Sequence, residues 1–535
     1  MKRRSRSDSW GDSWGDSWGD SWGDSWGDWL IVAGIVLMVG LGLLWLMFSS
    51  QWRMQHDTPL LYYTGMLMDE FGRMPYRDFF ETSFVGTFVL HWVIVKLFGY
   101  SEAAFVTLGL LHFAAVALVS ATLMWPYGKR VAVAAPAIFA LLYISHGPSI
   151  VLQRDYLVVL PVALGLLLAV QQRFRLGDAP RALWVGVMFG VAAAIKPQMV
   201  LGAIPVWLYL VLVKGGPERI GLSLLYTAAW MALGGLVVIG PLLVWLWWLD
   251  AWAPFWELYR QYLPLHLALT GDHRLLTGGA YVRYWLGEFI KLGGYAYLMP
   301  VAVAGPLIAA RVRADRESVA RIGMLLGVAI VYGLLPGLAG QFWPYHWMPF
   351  AWVLSLLVAL SLIRDPRPMR RNWHDGLIVV VLAVALGFSA WPNWELRLQM
   401  RGQPVPPPLA GRVDEISDFL RAELRPGDTV QPLDWTGGAI HAMLQAHAPL
   451  ATRFLYDYHF YHHPGEPFIA MLRQRLLTEL KAAPPRFVIE IHDWLHPKDQ
   501  AGAPSFDALD TWLHGGYQVV REGNAYKIWE RARTP

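Results

Sequence analysis

Apolar residues in this chain gather in long unbroken runs, not in the period-two alternation of a half-buried strand or the narrow stripe of a soluble helix. The first run extends from Trp29 to Phe48, and others fall near 84–98, 103–124, 131–145, 156–170, 183–195, 199–213, 223–248, 286–310, 322–339, 346–363 and 375–391. About 20 apolar residues in helical form cross the core of a bilayer, so the pattern predicts about a dozen membrane helices. After Trp391 it changes. "QPVPPPLAG" (403–411) reads as a Pro-rich linker, "VDEISDFLRAEL" as an amphipathic helix, "DTVQPL" and "RFVIEI" as short strands, "FDALDTWLHGG" as another helix, and "YQVV" with "AYKIWE" as a closing hairpin. The expected fold is mostly α: a polytopic membrane bundle of about 11–13 transmembrane helices followed by a small α/β domain.

Composition agrees with this. Hydrophobic residues make up 55% of the chain, charged residues 16%, and the mean hydropathy is +0.36, values that place it among membrane proteins. Cysteine is absent, which removes disulfides, thiolate metal sites and cysteine nucleophiles. The net charge of +4 is spread over short loops and gives no nucleic-acid footprint.

Charge placement predicts orientation. Lys2, Arg3, Arg4 and Arg6 precede the first run, and basic loops recur at 127–130, 172–182, 214–219, 310–321 and 364–375. The positive-inside rule puts all of these, and the N-terminus, in the cytoplasm, with the first loop and the C-terminal domain outside. Four units follow: a disordered or interfacial tail of SWGD repeats (1–28), a transmembrane domain (29–391) with its first extracytoplasmic loop at 49–82, the linker (392–411) and an extracytoplasmic α/β domain (412–535). One conflict arises at "YGKR" (127–130), because two full crossings after residue 82 would leave it outside. The 15-residue run 84–98 is the weakest span there.

The first outside loop, "HDTPLLYYTGMLMDEFGRMPYRDFFET" (56–82), collects Asp57, Asp69, Glu70, Asp78 and Glu81 beside several aromatic rings. Thr58 and Pro59 predict a helix start and Gly72 its end, so Asp57 would sit where helix amides favour an ionised carboxylate. Asp78 and Glu81 are spaced to share one face of a helical turn. Tyr62 and Tyr76 suit a sugar and a lipid headgroup at the membrane surface, although aromatic belts also form without any ligand.

These residues resemble a known group. The first helix followed by an outside loop beginning with "HD", then "G..PYRDFFE" and "KLFGY", is similar to the GT-C superfamily of integral-membrane glycosyltransferases, in the branch that includes protein mannosyltransferases and the enzymes adding aminoarabinose or galacturonic acid to lipopolysaccharide. "QRD" (153–155), "KPQ" (196–198), "QFWPYH" (341–346), "TRF" and "PPRFVI" resemble the same branch. The resemblance implies transfer of a sugar from a polyprenyl-phosphate donor to an extracytoplasmic glycan, lipid or protein, with acids of the first loop in catalysis at Asp57 and Asp78. His56 stands where other members carry a second acid, which leaves a divalent metal cofactor open.

The chemistry can also be argued without the family. A lipid-linked phosphate leaves as a stable anion, so one base and nearby cations suffice. Asp57 is the expected base, inverting the anomeric centre, with Asp78 or Glu81 orienting the acceptor or helping to hold a cation. Arg154, Lys196 and His346 lie at outside ends of apolar runs, where they could meet donor phosphate or merely snorkel. Asp155 is either a counter-ion to Arg154 or a substrate contact. The histidines of "YDYHFYHHPGE" (456–466) have no metal-ligand spacing. A transporter or flippase of lipid-linked saccharide is the main alternative, but it would be expected to show paired halves and charges at mid-helix.

Overall fold

The computed structural model describes residues 26–171, 178–214, 220–365, 371–492, 496–499 and 504–532. Most of the SWGD tail, and parts of the basic loops at 172–182, 214–219 and 364–375, lie outside these residues.

The apolar runs form helices. In order they are α1 (Trp26–Ser49), α2 (Thr58–Phe71), α3 (Val85–Phe98), α4 (Glu102–Met124), α5 (Lys129–Ile144), the short α6 (Arg154–Leu157) leading into α7 (Val159–Val170), α8 (Asp178–Ile195), α9 (Ala203–Lys214), α10 (Ile220–Trp248), α11 (Trp252–Glu257), α12 (Leu263–Leu267), α13 (Gly278–Lys291), α14 (Met299–Val312), α15 (Arg316–Ala339), α16 (Met348–Ala359) and α17 (Arg371–Ser389). Local chemistry sets several ends. The hydroxyl of Ser101 accepts from the Ala104 amide to start α4, and Asp315 accepts from Ser318 to start α15. Gly72 ends α2 in the left-handed region at φ 60°, which costs glycine nothing.

Among the described residues six helices are long and apolar enough to cross a membrane, or up to eight if each bent pair is one span. Length alone therefore returns fewer spans than the expected 11–13, since other apolar runs are broken into shorter pieces. Polar contacts sort the helix ends into two faces. On one face Arg130 at the start of α5 pairs with Asp28 in α1 at 2.7 Å, Tyr127 bonds to Ser318, and Arg316 and Arg321 reach the carbonyls of Leu212 and Val170. On the other, Arg53 pairs with Glu102, Lys196 with Asp155, and the Asn393 amide donates to Ser145. Traced between these markers, the chain changes face along α1, α4, α5, α6 with α7, α8, α9, α10, α14, α15, α16 and α17.

Helix α3 is the exception, and it resolves the conflict at "YGKR". Thr87 near its start bonds to the Ile195 carbonyl, and Tyr100 just past its end bonds to Glu70. Both ends lie on the same face, so α3, a 14-residue helix outside the six long apolar ones, does not cross. Where α8 and α10 cross, small residues permit backbone contact: a Cβ on Gly186 would lie 2.1 Å from the Met231 carbonyl oxygen, and one on Gly234 2.1 Å from that of Leu183.

The C-terminal part carries α18 (Trp394–Met400), α19 (Arg412–Glu423), α20 (Ala439–Gln445), α21 (Pro467–Ala482), α22 (Asp507–Gly516) and strands β1 (Val430–Leu433), β2 (Phe487–Ile491), β3 (Tyr517–Gly523) and β4 (Tyr526–Arg531). The sheet order is β1-β2-β4-β3, with β1 parallel to β2 and the other pairs antiparallel. Each sequence-predicted strand and helix of this region is present. The unit rests on the first loop: the Tyr63 hydroxyl donates to Ala448 at 2.7 Å, the Phe80 amide to Arg453 at 2.7 Å, and Arg53 grips Asp414 through two nitrogens at 2.8 and 2.6 Å.

Candidate active site

Four loops meet on the face that carries the C-terminal sheet, and each contains a non-glycine residue in the left-handed region: His56 (φ 57°), Tyr76 (φ 65°), Leu152 (φ 56°) and Phe342 (φ 53°). Such a conformation costs roughly 1–3 kcal/mol per residue and persists where surrounding contacts over-determine it. Three of these residues immediately precede or closely flank the charged groups described next.

Asp57 lies at the centre. Its Oδ1 is 3.1 Å from His56 Nδ1 and its Oδ2 3.8 Å from Arg154, with 14% of the side chain exposed. Burial alone would raise its pKa, but His56, Arg154 and the Tyr345 hydroxyl outweigh that and hold it down at about 2. Helix α2 begins one residue earlier than expected, with Asp57 as its N-cap, and no cap hydrogen bond forms; the Thr58 hydroxyl instead donates to the Val151 carbonyl at 3.0 Å, fastening the loop to the "QRD" segment.

Glu81 joins this centre through a serine. Arg154 donates to the Ser83 hydroxyl at 2.6 Å, and that hydroxyl donates to Glu81 at 2.8 Å. Glu81 is 5% exposed, and burial, partly opposed by Arg154, pushes its pKa up. Asp78 goes elsewhere. The segment 75–81 is a turn and not a helix, so Asp78 and Glu81 do not share a helical face; Asp78 accepts from the Met74 amide at 2.8 Å and pairs with its neighbour Arg77, closing the loop on itself. Tight turn geometry at "PYR", with Tyr76 donating to the Ser83 carbonyl at 2.6 Å, overrides the helical spacing.

The cations converge from other parts of the chain. Lys196, at the end of α8, meets Asp155 at 2.5 Å, so Asp155 is the close counter-ion of Lys196, not of Arg154 beside it in sequence. His346 is 8% exposed, its Nδ1 has no hydrogen-bond partner, and its ring lies edge-on to Tyr345. Tyr62 and Tyr76 are both buried, Tyr62 against His91 and Tyr76 between Phe88 and Phe255. Neither ring is presented to open space.

The sequence reading missed two groups of residues. His56, Ser83 and Tyr345 bind the centre together, and no spacing rule could pair residues so far apart in the chain. Above them His266 of α12 and His273 of the loop after it pack with Trp435, Tyr458, His459 and His462 of the C-terminal part. Each of the four histidines has at least one buried ring nitrogen without a hydrogen-bond partner. Among the described residues no three His, Asp or Glu side chains are arranged to hold a metal ion. The acids of this centre, Asp57 facing His56 and Arg154 and Glu81 held by Ser83, do not form the donor set of a divalent cation.

No protein-family model matches the chain, and no curated protein sequence matches it. Solved structures do. The crystal structure of ArnT from Cupriavidus metallidurans bound to undecaprenyl phosphate superposes with a TM-score of 0.58 at 15% identity, over 94% of this chain and 99% of that one. The same protein in the apo state gives 0.57 at 14% identity, over 93% and 98%. At such identity the likeness concerns the fold, and it extends over nearly the whole of both chains. This protein is thus an integral-membrane protein with the fold of ArnT, as the GT-C resemblance of its loop motifs implied.

Proposed function

We propose that this protein is a glycosyltransferase of the bacterial inner membrane that moves a sugar from a polyprenyl-phosphate donor to an extracytoplasmic glycan, lipid or protein, inverting the anomeric configuration. The observation that carries this reading is the 3.8 Å approach of Arg154 to Asp57, residues far apart in sequence that meet at one face of the bundle. The undecaprenyl phosphate held by the ArnT structure supports a donor of that class.

In this reading Arg154 and Lys196 receive the phosphate, and His346 supplies a neutral donor beside them. Arg154 is suited to the task because its planar fork can bind two phosphate oxygens at once. The acceptor hydroxyl attacks the anomeric carbon as the phosphate leaves, and its proton passes to the unit formed by His56 and Asp57. Glu81, whose pKa burial raises, orients the acceptor through Ser83. Asp78 shapes the loop and does not touch substrate. The N-terminus lies in the cytoplasm and the C-terminal unit outside.

The test is transfer in membranes from undecaprenyl phosphate carrying labelled aminoarabinose, galacturonic acid, mannose or glucose. Arg154→Ala should weaken binding of undecaprenyl phosphate by about 10- to 100-fold, in keeping with the ~1.5–3 kcal/mol of a hydrogen bond to a charged group. Wild-type binding by that variant, or an unchanged transfer rate in a folded Asp57→Asn variant, would refute the assignment.

A further inference from the structure

We propose that His56, and not Asp57, is the group that takes the proton from the acceptor hydroxyl, and that Asp57 orients His56 while neutralising Arg154. The inference rests on the glycosyl-transfer reading above and refines it.

Geometry separates the two residues. Both oxygens of Asp57 are engaged, Oδ1 by the imidazole at 3.1 Å and Oδ2 by the guanidinium at 3.8 Å. A carboxylate facing a guanidinium and an imidazole keeps its negative charge firmly and accepts a proton poorly. The imidazole is placed differently. His56 is held at φ 57°, with its ring edge-on to Trp343 at 5.5 Å and to Tyr345 at 5.4 Å, so backbone and neighbours together fix its direction. Its side chain keeps 23% exposure, and beyond the 3.1 Å ion-pair approach of Nδ1 to Asp57 its ring nitrogens have no hydrogen-bond partner among the described residues. A ring that merely filled space would not need a strained backbone to aim it.

Electrostatics point the same way. Efficient proton transfer favours a base that titrates near the working pH, and Asp57, held at about 2, is far from it. For His56, burial disfavours the charged ring, but Asp57 outweighs both burial and Arg154 and holds its pKa above the ordinary histidine value. The charged and titratable groups acting on this pair from elsewhere are Arg154, Glu81, Tyr345, His346 and, more distantly, Lys196, His266, His273 and Tyr456. Asp57 lies beside the ring itself, and it favours an imidazolium as that ion forms.

The step balances without a further reactant. The acceptor O–H bond breaks and its proton goes to a free ring nitrogen of His56. The acceptor oxygen bonds to the anomeric carbon while the bond from that carbon to the phosphate oxygen breaks, its electron pair leaving on polyprenyl phosphate. Product release returns the proton to water.

The experiment compares pH–rate profiles of the full-length wild type, His56→Ala, His56→Asn and Asp57→Asn with the labelled undecaprenyl-phosphate sugars, alongside binding of undecaprenyl phosphate as a check of folding. His56→Ala should lose about 10²–10⁴-fold in kcat with its donor KM unchanged, and added imidazole should restore part of the rate. Asp57→Asn should retain an acidic limb displaced to lower pH, because His56 loses the charge that raises it. If His56→Asn binds undecaprenyl phosphate normally and transfers at the wild-type rate, or if Asp57→Asn abolishes the acidic limb while His56→Ala keeps it, Asp57 is the base and this inference is wrong. If the wild type transfers from none of these donors and does not bind undecaprenyl phosphate, the glycosyl-transfer reading fails first and takes this one with it.

Discussion

Lys196 Nζ meets Asp155 Oδ1 at 2.5 Å, and the other oxygen of that carboxylate, on a side chain 1% exposed, has no hydrogen-bond partner. The pair is therefore a buried ion pair with one acceptor left over. Removing the cation alone strands a buried carboxylate, which costs about 3–5 kcal/mol. Lys196→Ala should lower the melting temperature in detergent markedly, whereas Lys196→Met combined with Asp155→Leu should recover much of it while still failing to bind undecaprenyl phosphate. A Lys196→Ala protein as stable as wild type would show that the pair is solvated.

Topology can be checked with a reagent the chain itself makes clean, since it contains no cysteine. Cysteines placed at the exposed positions Ser50 and Glu522 should react with a membrane-impermeant maleimide in intact spheroplasts. One at exposed Ala314, on the face shared by Arg130 and Asp28, should react only after lysis. The reverse labelling pattern would invert the orientation.

The packed imidazoles make stability depend on pH. Burial holds His266 at about 4 and His462 at about 3, with His273 and His459 also lowered. The unfolded chain protonates these rings below about 6.5 while the folded chain keeps them neutral, so the unfolded state binds more protons and stability falls as pH drops from about 6.5 toward 4. The thermal midpoint should decline across that interval. A double variant, His273→Gln with His462→Gln, should decline less steeply; an equal slope would exclude these rings as the cause.

The crossing of α8 with α10 leaves no room for a side chain at Gly186, where a Cβ would meet the Met231 carbonyl oxygen at 2.1 Å. Gly186→Leu must force the two backbones apart, and overpacking of this kind costs about 1–3 kcal/mol or more. Lower yield of folded protein in detergent is expected for Gly186→Leu, with a smaller loss for Gly387→Leu, where an added Cβ would meet no other part of the chain within 4 Å. Equal effects at the two sites would mean that the crossing is looser than it looks.

Much of this molecule was readable from the chain. Runs of 13 to 26 apolar residues can be satisfied in lipid as helices, because each backbone group then finds its partner locally. Gly72 and Pro59 marked the ends of α2 for equally local reasons, and the short apolar "RFVIEI" and the hairpin segment "AYKIWE" became β2 and β4. Asp57, Arg154 and Lys196 were picked out because ionised groups are costly near hydrocarbon and rarely gather there without purpose.

What the linear order left undecided were the partnerships. Asp155 follows Arg154 directly yet closes on Lys196, because α8 returns its end to that face. Asp78 and Glu81 are three residues apart and part company, one to its own loop and the other through Ser83 to Arg154. His56 acquires its aim from Trp343 and Tyr345, which lie nearly 300 residues further along. Helix formation and membrane insertion depend on neighbours within a turn or a span, and for those the order of residues was sufficient. The distances among charges depend on how helices cross and loops fold back, which only the packed molecule determines.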